Sequence, residues 1–158
     1  MSSTSLQFGR ADPGVVYRDR PAAFGIAERE GLIACVRVDR GEASYFDLPG
    51  GAVDEGETEA QALVRELAEE TGLVVEAGEE IARASQFFRK SDGDPVNNCG
   101  PFFVARVLDE DPGSKCEDDH ELVWLDPRRA IAELRHDAHA WAVAAWLRVG
   151  SEGNGDRR

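Results

Sequence analysis

No apolar run in the chain approaches the roughly 20 residues a helix needs to cross a bilayer, so no membrane span is expected. Cysteine is scarce. Cys35, Cys99 and Cys116 are scattered and odd in number, which argues against a disulfide framework, and no Cys/His spacing suits a metal site. Cys35 lies in an apolar run and is expected to be a reduced core residue, which fits a cytoplasmic location. Cations are few: Lys and Arg total 18 against 31 Asp and Glu, a formal net charge of −13. Such a surface repels a phosphate backbone and argues against a nucleic-acid duplex as partner. A small anionic substrate would be repelled too unless a cation came with it. Met1-Ser2-Ser3-Thr4-Ser5 lacks a basic stretch followed by apolar residues, so no signal peptide is expected.

What is present suits one soluble domain. The 158 residues are 42% hydrophobic and 31% charged, ordinary for a globular protein. Residues 1–12 read as a flexible leader, 13–150 as a single domain, and the polar, Gly-rich stretch 151–158 as a disordered tail.

The pattern along the chain alternates strands with few helices. Val15–Arg18 and Ala22–Ala27 read as strand segments broken at Arg20-Pro21. Gly31–Val38 is a short branched-residue run that predicts a buried strand, and Tyr45–Leu48 a strand ending at Pro49-Gly50-Gly51. Thr58-Glu59-Ala60-Gln61 has the form of a capping box, and Gly72 is a natural stop, so a helix is predicted over Glu59–Thr71. Val74–Glu76, Ile81–Phe88, Phe102–Leu108 and Leu122–Leu125 read as strands, with Ser91–Gly100 a polar loop or hairpin end. A short helix from Asp126-Pro127 to Leu134 and a last helix over Asp137–Val149 follow. This order predicts an α/β protein with a mixed sheet covered on both faces.

The predicted central helix carries the chemistry. At about 100° per residue, Glu66, Glu69 and Glu70 form one acidic edge, beside the stripe made by Leu63 and Leu67. Like charges at such spacing repel; Arg65 offsets part of this through its i,i+4 relation to Glu69. A hard divalent cation would relieve the rest, because all-oxygen donor sets select such ions. Pro49-Gly50-Gly51 lets the backbone come close, with the Gly50 carbonyl as a further hard ligand. Glu57 is placed to orient Arg65 or a metal-bound water.

Gly51, Glu57, Arg65, Glu66, Leu67, Glu69, Glu70, Gly72 and Leu73 fill every fixed position of G-x5-E-x7-R-E-U-x-E-E-x-G-U, where U is aliphatic. The stretch 51–73 therefore resembles the Nudix box, and the protein resembles a MutT-like Nudix hydrolase. The resemblance implies an α/β/α sandwich with the box helix on one face of a mixed sheet and a C-terminal helix. It also implies Mg²⁺- or Mn²⁺-dependent hydrolysis of a pyrophosphate bond in a nucleoside diphosphate linked to another group. By the same resemblance Glu66, Glu69, Glu70 and the Gly50 carbonyl would hold metal, and Arg65 and Glu57 would support them. Glu121 resembles the loop glutamate that serves as ligand or base in such enzymes; the alternative for it is an exposed residue at a strand start.

Substrate contacts are less legible. Arg37, Arg83, Arg89, Lys90 and Arg106 are the basic residues near the expected groove, of which Arg37 and Arg89 are taken as substrate-binding together with Phe87. His120, His136 and His139 and the tryptophans read as structural or solvent-facing. Arg89 occupies the place where some ADP-ribose hydrolases carry a proline, and no zinc ribbon precedes the box. Homodimers occur in the family, but no dimerisation signature is visible. A non-catalytic nucleotide-binding module and a prenyl diphosphate isomerase on the same fold are the competing readings.

Overall fold

A computed structural model describes residues 6–155. Its elements in chain order are strands β1 (Leu6–Phe8), β2 (Arg18–Ile26), β3 (Glu28–Arg29), β4 (Leu32–Asp39), β5 (Ser44–Asp47) and β6 (Gly50–Ala52), helix α1 (Glu59–Thr71), strands β7 (Leu73–Arg89), β8 (Pro95–Glu110) and β9 (His120–Leu125), and helices α2 (Pro127–Glu133) and α3 (Asp137–Gly155).

A five-stranded mixed sheet runs β1-β7-β8-β2-β6. Within it β1 is parallel to β7 and β2 to β8, whereas β7–β8 and β2–β6 are antiparallel. A second, antiparallel sheet centres on β4, which pairs with β3, β5 and β9. Side chains alternate across a strand, and in β4 this feeds two cores: Ile33 and Cys35 enter one, Ala34 the other. The first core also takes Ala130 of α2, Leu134 at its C-terminal end, and Ala138, Ala142 and Val143 of α3. The second takes Leu63 and Leu67 of α1 against Ala23, Leu73, Val75 and Ala105. Helices thus cover both sides, giving the expected α/β/α sandwich. Each buried leucine of α1 contributes roughly 1.5–3 kcal/mol through loss of apolar surface to water.

Helix α1 begins and ends as its sequence predicts. Thr58 Oγ1 accepts from the Gln61 N–H at 3.0 Å, Gln61 Oε1 accepts from the Thr58 N–H at 2.9 Å, and Gly72 closes the helix in the left-handed conformation. Elsewhere tertiary pairing overrides local punctuation. Strand β2 runs through Arg20-Pro21 unbroken, because Pro21 needs only its carbonyl, which accepts from Val53 N–H at 2.9 Å. The polar stretch after Ser91 is largely strand, since β8 starts at Pro95 and pairs with both β7 and β2. Strand β7 bridges its polar middle with register shifts between Ala77 and Ala82.

Leu6–Phe8, within the expected leader, form a strand, and the Phe8 ring lies 5.5 Å from Trp141. Helix α3 continues to Gly155, past the expected end at Val149. Residues 1–5 of the expected leader and 156–158 of the expected tail lie outside the described residues. Among the described residues no helix is long and apolar enough to cross a membrane.

Candidate functional site

The turn between β5 and β6 lies against the acidic edge of α1. Gly50 holds φ at +145°, and a Cβ there would sit 2.2 Å from the Ala23 carbonyl oxygen. Its N–H donates to Glu70 Oε1 at 3.1 Å. At Gly51 a Cβ would meet the Glu66 carboxylate at 2.7–2.9 Å. Both positions therefore need glycine, one for backbone packing and one to leave room for a carboxylate.

Arg65 ties the acidic edge together. Its Nε donates to Glu57 Oε2 at 2.7 Å and its Nη2 to Glu57 Oε1 at 3.0 Å, a two-point fork. Its Nη1 donates to Glu66 Oε1 at 3.0 Å and to Glu69 Oε2 at 3.1 Å, and its Nη2 also reaches the Ala52 carbonyl at 2.9 Å. The Arg65 hydrogen bonds, with a backbone N–H from Asp54, hold the Glu57 carboxyl down at about 2. Those carboxylates in turn push the guanidinium upward.

Deeper in the groove the balance reverses. Burial pushes the Glu66 carboxyl up, opposed by its bond to Arg65. Glu70 is 3% exposed; burial and the neighbouring Glu66 charge push its carboxyl well above the usual range, against the pull of the Gly50 N–H. A buried carboxylate so placed favours either a proton or a cation.

The loop from β8 to β9 closes over the C-terminal end of α1. The N–H groups of Cys116 and Glu117 both donate to the Glu69 carbonyl, at 2.9 and 3.2 Å, and Asp111 N–H to the Gly72 carbonyl at 2.7 Å. These bonds occupy carbonyls that a helix end leaves open, and they bring two new groups to the cluster. Ligand atoms of Glu66, Glu69 and Glu117 all lie within 4.8 Å of one another, as do those of Glu70, Glu117 and His120. His120 Nε2 is 3.5 Å from Glu70 Oε2, while its Nδ1 faces Asp119 Oδ1 at 2.8 Å and Glu117 Oε2 at 3.2 Å.

A cavity of about 230 Å³ opens beside the cluster. Glu66, Glu70, Glu117 and His120 line it together with Phe24, Tyr45, Phe88, His136 and His139. His136 and His139 are both buried. His139 Nδ1 accepts from the Leu48 N–H at 3.1 Å, and burial holds its imidazole well below the usual range. Burial, then the Arg135 charge, holds His136 down at about 3. Arg135 lies 3.7 Å over the Tyr45 ring and donates to Asp47, with Nη2–Oδ2 at 2.7 Å. Arg20 of β2 enters the same cavity, where its Nη1 donates to Asn98 Oδ1 at 3.1 Å.

The fold thus brings together Gly50, Glu57, Arg65, Glu66, Glu69 and Glu70. It does not bring Glu121 to them. In the β4–β9 register Arg37 lies opposite Glu121 and Val38 opposite His120. Adjacent strand residues face opposite ways, so His120 and Val38 line the cavity while Arg37 and Glu121 form an exposed ion pair at 2.9 Å. Arg89 likewise pairs with Asp12 at 3.0 Å on the surface, and Phe87 packs on Tyr17, with Phe88 facing the cavity instead. Arg83 is held by Glu59 and Glu80, and Arg106 by Glu76. Of the basic residues expected at the groove, Lys90 alone lines it. Glu117 and Arg20 escaped the sequence reading. The resemblance pointed to Glu121 as the loop glutamate, but finding the inward member of this segment required the strand register. Arg20 was hidden by the strand break expected at Pro21.

Comparison with known proteins gives a consistent picture. Over 109 residues, 66% of this chain and 67% of the relative, it is 64% identical to a provisionally named 8-oxo-dGTP diphosphatase 2 of Mycobacterium tuberculosis. It is 38% identical over 76 residues to an RNA pyrophosphohydrolase of Erythrobacter litoralis; the match spans 48% of this chain and 46%, under half, of that relative's length. The solution structure of the Escherichia coli ORF135 protein superposes with a TM-score of 0.63 at 26% identity, covering 86% of this chain and 94% of that one. Residues 17–147 match the family model of the NUDIX domain. With its box residues converging on one groove of the matching fold, the chain belongs to the NUDIX domain family.

Proposed function

We propose that the chain is a Mg²⁺- or Mn²⁺-dependent hydrolase that cuts a pyrophosphate bond in a nucleotide. The observation that carries this reading is the meeting of Glu66, Glu69 and Glu117 within 4.8 Å beside a cavity that Phe24, Tyr45 and Phe88 help to line. The donor chemistry fits a hard divalent ion: carboxylate oxygens predominate, and among the described residues the buried Glu70 carboxylate meets neither Lys nor Arg, only the His120 ring at 3.5 Å. Glu66, Glu69, Glu70 and Glu117 would hold the ion, and the Gly50 carbonyl would be a further oxygen donor. Such an ion, when bound, neutralises phosphate charge and acidifies water.

The chain's own residues do the rest. Arg65, pinned by Glu57, fixes the rotamers of Glu66 and Glu69. Gly51 leaves space for Glu66. A glutamate of the cluster takes the proton of the attacking water, and the aromatic side chains of the cavity lining receive the nucleoside. Catalysis is then mostly positioning and electrostatics. The relatives named for 8-oxo-dGTP and for RNA support a nucleotide substrate. Three unpaired cysteines suit a reducing cytoplasm.

The test is release of phosphate or pyrophosphate from a panel of nucleoside triphosphates, 8-oxo-dGTP and 5′-triphosphorylated RNA, with and without Mg²⁺. Metal-dependent release from at least one member is expected. Silence across the panel at high protein concentration would favour the non-catalytic binding module. A product mass unchanged by water would mark an isomerase.

A further inference from the structure

The cavity is lined by four strongly basic side chains: Arg20, Arg40, Lys90 and Arg135. Three of them already face a carboxylate. Arg40 pairs with Asp119 at 2.9 Å, Arg135 with Asp47 at 2.7 Å, and Lys90 approaches Asp92 at 3.9 Å. Arg20 differs. Among the described residues its one side-chain hydrogen bond goes to a neutral amide, Asn98 Oδ1, and no carboxylate lies within 4.0 Å of it.

That arrangement is built into the sheet. Arg20 and Asn98 are register partners on the parallel strands β2 and β8, and Asn98 is 7% exposed. A buried amide that spends its oxygen on one Nη orients the guanidinium without neutralising it. A guanidinium carries five N–H donors, so most of the fork stays available. Burial disfavours its charge, and the more distant Glu66 and Glu70 carboxylates offset only part of that cost. A half-buried cation without a contacting anion is costly unless a ligand completes it.

We propose that Arg20 is the seat of a substrate phosphate, with Asn98 as the residue that positions it. A planar guanidinium matches phosphate oxygens at two points, which an ammonium cannot do. The seat shares its cavity with Glu66 and Glu70, so a phosphate held there lies within the groove that contains the acidic cluster. This deepens the nucleotide reading of the cavity and rests on it: the substrate class is one with a phosphate chain, recognised through its anion as well as its base.

The decisive measurement is calorimetric binding of magnesium tripolyphosphate, a probe with no nucleoside, to the full chain. The wild type is expected to bind. R20M should raise Kd at least tenfold at an unchanged melting temperature, while R129M, which removes a surface cation paired with Glu133 on α2, should leave Kd alone. Should R20M fail to fold, R20Q, which keeps a donor for Asn98, decides in its place. An unchanged Kd in the Arg20 variant overturns the proposal, and so does a wild type that binds no tripolyphosphate. Turnover of the nucleotide panel is read separately. Probe binding lost in R20M, in a protein that hydrolyses nothing, sustains the seat and sinks the hydrolase reading. Nucleotide hydrolysis with R20M affinity unchanged does the reverse.

Discussion

The Glu117 N–H donates to the Glu69 carbonyl at 3.2 Å. With the Cys116 and Asp111 N–H bonds to the same helix end, it docks the β8–β9 loop on α1 and sets a distant carboxylate beside the acidic edge of the helix. From it follows a division between two glutamates that look interchangeable in sequence. Glu117→Gln should lower Mg²⁺-dependent turnover by at least about tenfold and weaken metal affinity by a similar factor. Glu121→Gln should leave both near wild type, since Glu121 pairs with Arg37 at the surface. Steady-state rates against Mg²⁺ concentration separate the two. Equal losses in both variants would return Glu121 to the site.

Glu70 is held in a place that resists its charge. Its folded-state affinity for a proton is raised by burial and by Glu66. In chelator-treated protein this costs stability as pH rises from the unfolded value near 4.5 through the raised folded one, and the cost is absent below 4.5. Glu70→Gln keeps the acceptor for the Gly50 N–H and removes the charge. It should therefore melt higher than wild type at neutral pH without metal, by roughly 2–4 °C per kcal/mol relieved, and match it at acid pH. Added Mg²⁺ or Mn²⁺ should raise the wild-type melting temperature and barely move the variant. A metal shift of equal size in both would remove Glu70 from the ligands.

The Glu57–Arg65 fork has the opposite sign. Because the folded Glu57 carboxyl is depressed to about 2 from an ordinary 4.5, its contribution is full above 4.5 and is lost as pH falls toward 2. Glu57→Gln should thus lower the melting temperature at neutral pH, with the gap closing over that acid window. The same variant should reduce turnover while leaving the fold intact, because Arg65 loses the anchor that aims it at Glu66 and Glu69. A gap independent of pH would show that the fork is not its source.

Neighbouring glycines should fail in different ways. Gly50→Ala forces a side chain into a backbone oxygen 2.2 Å away at φ +145°. It should destabilise the fold by roughly 1–3 kcal/mol or more, visible by denaturation. Gly51→Ala meets first a side-chain carboxylate, that of Glu66, rather than backbone. It should leave stability close to wild type and cut turnover by displacing a ligand. If Gly51→Ala turned over at the wild-type rate, the crowding of Glu66 would have no catalytic meaning.

Much was legible in the residues themselves, and for a common reason: it was local. The capping box at Thr58–Gln61, the stop at Gly72, the acidic edge of Glu66, Glu69 and Glu70, and the Arg65 link to Glu69 all depend on helical geometry within a few residues. The Nudix pattern at 51–73 sits on these same features. What tertiary structure alone decided was non-local. Pro21 stays in strand because β8 and Val53 pair around it. Glu117 rather than Glu121 joins the cluster because strand alternation turns His120 inward and Glu121 out. Arg20 enters the cavity because β2 lies beside β8, where Asn98 holds it. Periodicity can rank the residues of one element, but which face meets the groove is set by the register between strands far apart in the chain, and no local propensity encodes that register.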